Sequence, residues 1–135
     1  MSDINIPANV WKEFLDKFSK RHAGWLVQVE TYDRKTEEFV TSQLSVLHSM
    51  ELDVEDEQNP RINVIVLYDS KELKHILFRP SQVTLRISEK DGEDSLCITS
   101  VNADTTIRLR GSKAFDVLDL IKTLNVLEVV RDEAA

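Results

Sequence analysis

Residues 7–29 have the sequence PANVWKEFLDKFSKRHAGWLVQV, in which the spacing of the apolar residues changes once. Up to His22 the apolar side chains recur at intervals of three and four, which is typical of a helix with one buried face. They are Trp11, Phe14, Leu15 and Phe18. From Trp25 onward apolar and polar residues alternate, as in a strand with one face in water. The segment therefore predicts a helix that ends near Ala23, a reversal at Gly24 and a strand.

The chain beyond this junction continues the strand pattern to residue 109. Apolar runs separated by short polar connections predict about seven strands in all, the first at Trp25 and the others at 39–47, 62–68, 73–78, 83–88, 96–101 and 105–109. Asp91-Gly92 and Asn102-Ala103-Asp104 are typical of hairpin turns, so we expect the last three strands to form an antiparallel meander. Pro80 has no amide hydrogen and is expected at a strand boundary or edge.

Helical spacing returns after Gly111, where Ser112 is a candidate N-cap. The seam of this second helix consists of Val117, Leu120, Leu124 and Leu127. Its end is open, at Leu124 or as late as Arg131. The apolar surface is broader than one core-facing stripe, which predicts a protein partner or a homodimer through residues 114–130. Docking of the same helix within its own chain is the alternative.

These elements predict an α+β protein with a single domain over residues 1–135. An N-terminal helix, about seven mostly antiparallel strands in a curved sheet or a small barrel, and a C-terminal helix make up the expected fold. The pattern does not decide between sheet and barrel. The predicted core consists of Trp11, Phe14, Phe18, Trp25, Val27, Val64, Val66, Leu85, Ile87, Leu96 and Ile98.

An acidic segment, from Met50 to Arg61, interrupts the strands. Its carboxylates are Glu51, Asp53, Glu55, Asp56 and Glu57. Mutual repulsion of these groups predicts a mobile loop over residues 51–58. The segment lacks the glycine turn and the terminal bidentate Glu of a calcium loop, so no metal is expected there.

The composition excludes several classes of function. A net charge of −7 disfavours nucleic acid and anionic membrane surfaces as partners. No apolar run reaches the roughly 18 residues of a membrane span. Cys97 is the single cysteine and no apolar secretion segment follows Met1, so we expect a cytoplasmic protein without an internal disulfide.

Catalytic and cofactor motifs are absent from the sequence. The only glycines lie far apart, at Gly24, Gly92 and Gly111, so a phosphate-binding loop, a dinucleotide fingerprint or a nucleophile elbow is not expected. The histidines lack the spacing of metal ligands: His22, His48 and His75. Arg21 and His22 suit the negative end of the first helix dipole. An enzyme is therefore the less favoured class, and we expect no cofactor and no metal.

Three arginines form the most informative polar set. Arg86, Arg108 and Arg110 alternate with apolar neighbours, so all three should leave the sheet on its polar side. Such an arginine strip can bind a carboxylate or a phosphate through forked guanidinium groups. The alternative is cross-strand pairing with acidic residues, namely Glu89, Glu93 and Asp94. His75 is a further candidate ligand-binding residue, on the opposite side of its strand from Ile76 and Phe78.

Two classes of function follow from the residues. The favoured one is a non-catalytic binding or protein-interaction module, because no nucleophile, acid-base pair, metal cluster or cofactor loop is assembled locally. The alternative is a small anionic-ligand-binding protein, or an enzyme, that uses the arginine strip with His75.

The runs WKEFLDKFS at 11–19 and RHAGWLV at 21–27 resemble a family of small bacterial proteins known only as a domain of unknown function. Weaker similarity is present at 62–67, 75–83 and 96–100, so the resemblance covers about residues 8–110. It implies a bacterial, soluble, single-domain protein and carries no activity or catalytic residue with it. The acidic segment and the added helix over 111–135 depart from the family.

Overall fold

The computed structural model describes residues 2–87 and 94–113. A short 3-10 turn, Ala8–Val10, precedes one helix, α1, at Trp11–His22. The strands are β1 Ser2–Asn5, β2 Trp25–Asp33, β3 Glu38–Thr41, β4 Ser45–Asp53, β5 Arg61–Tyr68, β6 Lys71–Phe78, β7 Gln82–Ile87, β8 Ser95–Thr99 and β9 Ala103–Lys113.

All nine strands belong to one antiparallel sheet with the order β1-β7-β8-β9-β2-β4-β5-β6, and β3 also pairs with β2. The predicted meander of the last three strands is confirmed, and Pro80 lies between β6 and β7 as expected. β1 and β6 are the two ends of the order, and no ladder joins them within residues 2–87 and 94–113. Of the two predicted forms, the open curved sheet is therefore the one observed.

The predicted fold class, with a helix at each end of the chain, is wrong. The described residues contain one helix, and Gly111 and Ser112 lie in β9 instead of beginning a second one. β9 continues because β2 supplies a pairing partner as far as Lys113, opposite Trp25. This ladder overrides the local capping signal. Four predicted interface residues lie outside the described residues: Val117, Leu120, Leu124 and Leu127.

Two strands were not anticipated by the sequence pattern. β1 is a short strand that extends the sheet beyond β7. The predicted strand at 39–47 is divided into β3 and β4, which pair with different parts of β2. Between them, the Ser42 amide donates to Val29 O at 2.8 Å, and the Ser42 hydroxyl accepts from the Val29 amide at 3.0 Å. Ser42 thus bonds the backbone N–H and C=O groups of Val29 at the point where the regular pairing of this edge of β2 stops.

The acidic loop was predicted to begin at Glu51, but in the structure β4 continues to Asp53 and the loop begins after it. Glu51 and Asp53 lie in β4, where they pair with Asn63 and Arg61 of β5. The Arg61 guanidinium is 3.4 Å from the Asp53 carboxylate, and Asn59 Nδ2 donates to Asp56 Oδ2 at 3.0 Å. These contacts offset the carboxylate repulsion and close the β4–β5 hairpin.

The sheet curls so that one face becomes the interior of the protein. We call this the inner face; it carries Val27, Val64 and Leu96, and the opposite side is the outer face. β6 and β9 are four ladders apart in the strand order, about 19 Å in a flat sheet. However, the Val101 amide, beside β9, donates to Phe78 O of β6 at 3.0 Å. The two halves of the sheet therefore face each other.

Helix α1 packs its apolar stripe against the inner face, chiefly over β4. Most of the predicted core is confirmed: Trp11, Phe18, Val27, Val64, Val66, Leu96 and Ile98 are buried. Phe14, Trp25 and Leu85 are only partly buried and pack at the margin, while Ile87 is half-buried. The Trp11 Nε1–H donates to Ile6 O at 2.8 Å. The edge of the hydrophobic core therefore lies beside Trp25.

Leu15 provides a test of this packing because its side chain is 0% exposed at the centre of the helix–sheet contact. We expect Leu15→Ala to lower the free energy of unfolding by about 2–5 kcal/mol, through lost burial and the remaining cavity. Chemical denaturation measures the change. Lys12→Ala, on the exposed side of α1, is the matched control. Equal denaturation midpoints for the two variants would contradict the placement of α1.

Candidate functional site

The junction between α1 and β2 positions the candidate site. Ala23 is the C-cap of α1, and Gly24 has a φ of +90°, a conformation that favours glycine. The Gly24 amide donates to Leu47 O of β4 at 2.9 Å, which fixes the reversal. Trp25 consequently lies beside the last turn of α1, where its ring meets the edge of His22 at a centroid distance of 4.7 Å.

Four aromatic rings form a continuous row at this junction, which we call the ring row: Phe14, Phe18, His22 and Trp25. The first three are spaced by four residues and so share one stripe of α1. Phe14 and Phe18 stack at 5.6 Å, and Phe18 and His22 are 4.3 Å apart. Phe18 and His22 are buried, whereas Phe14 and Trp25 are half-buried. The row thus runs from the core to an accessible edge.

A pocket of about 460 Å³ opens along this row, between α1 and β7. We call it the helix-end pocket. Its lining combines the ring row with Leu85 and Ile87 of β7 and with three charged residues, Lys17, Arg21 and Asp94. The volume lies within the range of small-molecule sites, and such sites are mostly apolar with a few polar groups.

Trp25, one of the lining residues, carries an unusual polar group. Its Nε1–H is buried and has no acceptor among the described residues. The other tryptophan, Trp11, donates to Ile6 O. A buried donor without an acceptor costs about 1–3 kcal/mol. An acceptor carried by a ligand would satisfy it.

His22 is held in one neutral form. Its Nδ1 lies 2.9 Å from Phe18 O, and a carbonyl oxygen only accepts, so Nδ1 carries the proton and Nε2 is left as an acceptor. Burial lowers the pKa of His22 below 6.5, and the nearby Arg21 lowers it further, while the Phe18 carbonyl and Asp94 act in the opposite direction. The imidazole is therefore uncharged at neutral pH.

The two cations of the lining differ in their partners. Lys17 Nζ is 3.0 Å from Glu13 Oε2, an i,i+4 pair on the helix surface. Arg21 makes no ion pair with any residue in the described part of the chain. Because Arg21 lines the pocket, its guanidinium is the cation available to a bound anion.

The predicted arginine strip lies elsewhere, on the outer face of the sheet. Ser95 pairs with both Arg86 and Arg108, so these two arginines share a face about 10 Å apart. Arg108 Nε is 2.8 Å from Glu30 Oε2, and Arg86 Nε is 3.7 Å from an Asp3 carboxylate oxygen. Cross-strand pairing was the predicted alternative. Glu30 and Asp3 are partners that it did not name, and two of those that it did name, Glu89 and Glu93, lie outside the described residues.

The other two predicted site residues are Arg110 and His75. Arg110 is exposed two residues beyond Arg108 on β9. His75 lies on the inner face of β6, opposite Val64, and so is separated from the arginines by the sheet. The structure therefore does not assemble the predicted combination of His75 with the arginine strip, and anion binding by the strip stays a prediction.

A larger groove, of about 690 Å³, lies on the other side of α1, against β4. Its carboxylates already have partners: Glu13 is paired with Lys17, Asp16 with Lys20, and Glu51 accepts from Asn63 Nδ2 at 3.2 Å. Volume alone does not make this groove the better candidate. The helix-end pocket is favoured because one of its lining residues, Trp25, carries a donor that has no acceptor among the described residues.

Sequence reasoning assigned the residues of the helix-end pocket to structural roles. It placed Trp25 in the core and His22 at the helix dipole. The available signal was the four-residue spacing of Phe14, Phe18 and His22 directly before Gly24-Trp25. That spacing indicates a ring stripe that continues into β2, but the unsatisfied indole can be found only from the packing.

No group of three or more His, Cys, Asp and Glu residues within 2–87 and 94–113 is arranged to hold a metal ion. No helix in that part of the chain has the length and apolar character that crossing a bilayer requires. Comparison of the chain with family models, curated proteins and solved structures gives no match. The resemblance to a domain of unknown function therefore stays a prediction.

The lowered pKa of His22 predicts a pH dependence of stability. The unfolded chain, with a pKa near 6.5, binds a proton before the folded protein does. The neutral His22 therefore makes its full contribution to the free energy of unfolding above about pH 7. As the pH falls below 6.5, that free energy decreases by at most about 1.4 kcal/mol per pH unit. Unfolding free energies of the parent and His22→Gln between pH 7.5 and 5 measure it. Parallel curves for the two proteins would contradict the assignment.

Proposed function

We propose that this protein is a non-catalytic binding protein that holds a small monoanion with a planar apolar body in the helix-end pocket. The observation that carries the proposal is the buried Trp25 Nε1–H, which lacks an acceptor among the described residues, together with the position of Trp25 among the residues that line a pocket of about 460 Å³. A ligand oxygen would supply that acceptor.

The apolar part of the proposed ligand is recognised by the walls of the pocket. Phe14, Phe18 and Trp25 offer ring faces and edges, and Leu85 and Ile87 of β7 close the opposite side. Aromatic side chains contribute both large contact area and a geometric preference for offset or edge-on ring contacts. A planar ring system fits such a wall better than a branched aliphatic body.

The acidic part is recognised by the Trp25 N–H together with the Arg21 guanidinium. Hydrogen bonds from a cationic donor to a carboxylate are shorter and stronger than neutral ones. Asp94 is the one carboxylate among the described lining residues and disfavours a second acidic group on the ligand. This balance supports a monoanion.

Binding is favoured over catalysis by the same lining. Its described residues include no serine, threonine or cysteine hydroxyl or thiol that could act as a nucleophile. His22 uses its Nδ1–H to bond Phe18 O, and no carboxylate among the described residues orients it for proton transfer. An enzyme stays the alternative class.

Two further parts of the functional hypothesis stay predictions. The first is a protein partner or a second copy that contacts residues 114–130, a segment that lies outside the described residues. A cytoplasmic location is compatible with the acidic composition and the single cysteine. Neither is needed for binding in the helix-end pocket.

The proposal is tested with 1-naphthoate as the probe and with NMR of the two indole N–H groups. We expect saturable titration of the Trp25 indole resonance, because its N–H gains an acceptor, and little change at Trp11, which already donates to Ile6 O. The neutral 1-naphthamide should bind more weakly. Equal shifts at both indoles, or none at Trp25, would contradict the site.

Arg21→Gln separates the charge contribution from the apolar one. We expect it to weaken 1-naphthoate about five- to ten-fold, the effect of one partly exposed charge-assisted hydrogen bond. Lys20→Gln is the matched control, since Lys20 lies on the same helix, pairs with Asp16 and does not line the pocket. Equal weakening by both variants would indicate a general electrostatic effect and would remove Arg21 from the site.

A further inference from the structure

A second pocket, of about 220 Å³, lies at the other end of the curled sheet. We call it the far-end pocket. Thr31 lines it and is six residues along β2 from Trp25, a distance of about 20 Å in a strand. Its wall residues include Thr31, His75, Leu77, Phe78, Ser100, Val101, Asn102 and Thr105. It is therefore separate from the helix-end pocket.

The inner face of the sheet becomes more polar at this end. Thr105 of β9 pairs with Thr31 of β2 and with Ile98 of β8, so hydroxyl groups occupy positions that are apolar elsewhere along these strands. Thr105 is 1% exposed, and its Oγ1 is buried without a hydrogen-bond partner among the described residues. A side chain this deeply buried normally satisfies its hydroxyl.

His75 contributes a second unsatisfied group from the opposite wall. It lies on the inner face of β6, and its Nε2 is buried without a partner in the described residues. Burial lowers the pKa of His75, so its ring is uncharged at neutral pH. Two residues of facing strands, β6 and β9, thus line one pocket, and each carries a polar atom without a partner among the described residues.

The walls of the far-end pocket are fixed by hydrogen bonds. Arg34 holds the turn between β8 and β9: its Nη2 donates to Ser100 O at 2.5 Å, and its Nη1 is 2.6 Å from Asp104 Oδ1. The Val101 amide donates to Phe78 O at 3.0 Å and joins that turn to β6. The cavity is consequently a feature of the packed fold and not of an open loop.

The lining determines what kind of molecule can bind. None of the described lining residues is an Asp, Glu, Lys or Arg, so an ionised ligand would lose its hydration without gaining a charged partner. A threonine hydroxyl and a neutral imidazole can each donate or accept. The rest of the described lining combines apolar residues with three further uncharged polar ones, Thr31, Ser100 and Asn102. The volume of the pocket corresponds to roughly seven water molecules.

We infer that the far-end pocket binds a small uncharged molecule with a carboxamide or hydroxyl group, which bonds Thr105 Oγ1 and His75 Nε2 while its apolar part contacts Leu77. This ligand differs in charge from the anion proposed for the helix-end pocket. A negative binding result at one pocket would therefore leave the proposal for the other pocket unaffected.

Isobutyramide and isobutyrate are matched probes for this inference, since they share a shape and differ in charge. We expect NMR titration of the full chain with isobutyramide to give saturable shifts at Thr105 and His75, with a Kd of the order of millimolar for so small a ligand. Isobutyrate should bind at least ten-fold more weakly. Absence of a saturable response, which indicates ordinary water as the only occupant, or equal binding of both probes, would overturn the inference.

Thr105 also offers matched substitutions. Thr105→Val keeps the shape and removes the hydroxyl, so we expect isobutyramide binding to weaken at least ten-fold while the melting temperature stays the same or rises. Thr105→Ser keeps the hydroxyl and should retain binding within about three-fold. Undiminished binding by a folded Thr105→Val variant would overturn the inference, as would loss of binding in a folded Thr105→Ser variant.

Discussion

The divided pairing of β2 is the constraint on which the rest of the structure depends. One edge of β2 pairs with β4 at Leu26 and Val27 and with β3 from Glu30 onward. A flat sheet cannot continue through that change of partner. β4, β5 and β6 therefore turn away from the other strands and face them across the core. Ser42 bonds the Val29 amide and carbonyl at the division, so the bend leaves these two backbone groups satisfied.

The curled sheet has two open ends, and the chain treats them differently. Helix α1 covers one end with large rings and Leu15, and the reversal at Gly24 ties this cover to β2 and β4. The other end is crossed by the turn between β8 and β9, which Arg34 fixes to Asp104. The pocket at the first end is consequently aromatic and flanked by cations, whereas the pocket at the second end is smaller and has hydroxyl groups but no Asp, Glu, Lys or Arg among its described lining residues. The contrasting ligands proposed for the two pockets follow from this difference.

Local sequence patterns were sufficient to predict those elements whose structure does not depend on a distant pairing partner. The apolar spacing from Trp11 to Phe18 and the glycine at position 24 predict α1 and its end, and alternation predicts the meander of β7, β8 and β9. Long-range pairing decided the rest. The capping signal at Gly111-Ser112 yields to the ladder with β2, and the run at 39–47 is divided because β2 accepts two partners. Neither partner can be identified from a local period.

The candidate site was less predictable than the fold, and the two tryptophans show why. Trp11 is the first residue of α1 and Trp25 follows its last turn, and sequence reasoning placed both rings in the core. Trp11 fits that role because Ile6 O accepts its indole proton. Trp25 has the same ring and donor but no acceptor among the described residues, since the reversal at Gly24 places it at the margin of the helix–sheet contact. Composition cannot separate these cases. The distinction depends on whether one backbone oxygen lies within reach of one nitrogen, and long-range packing decides this.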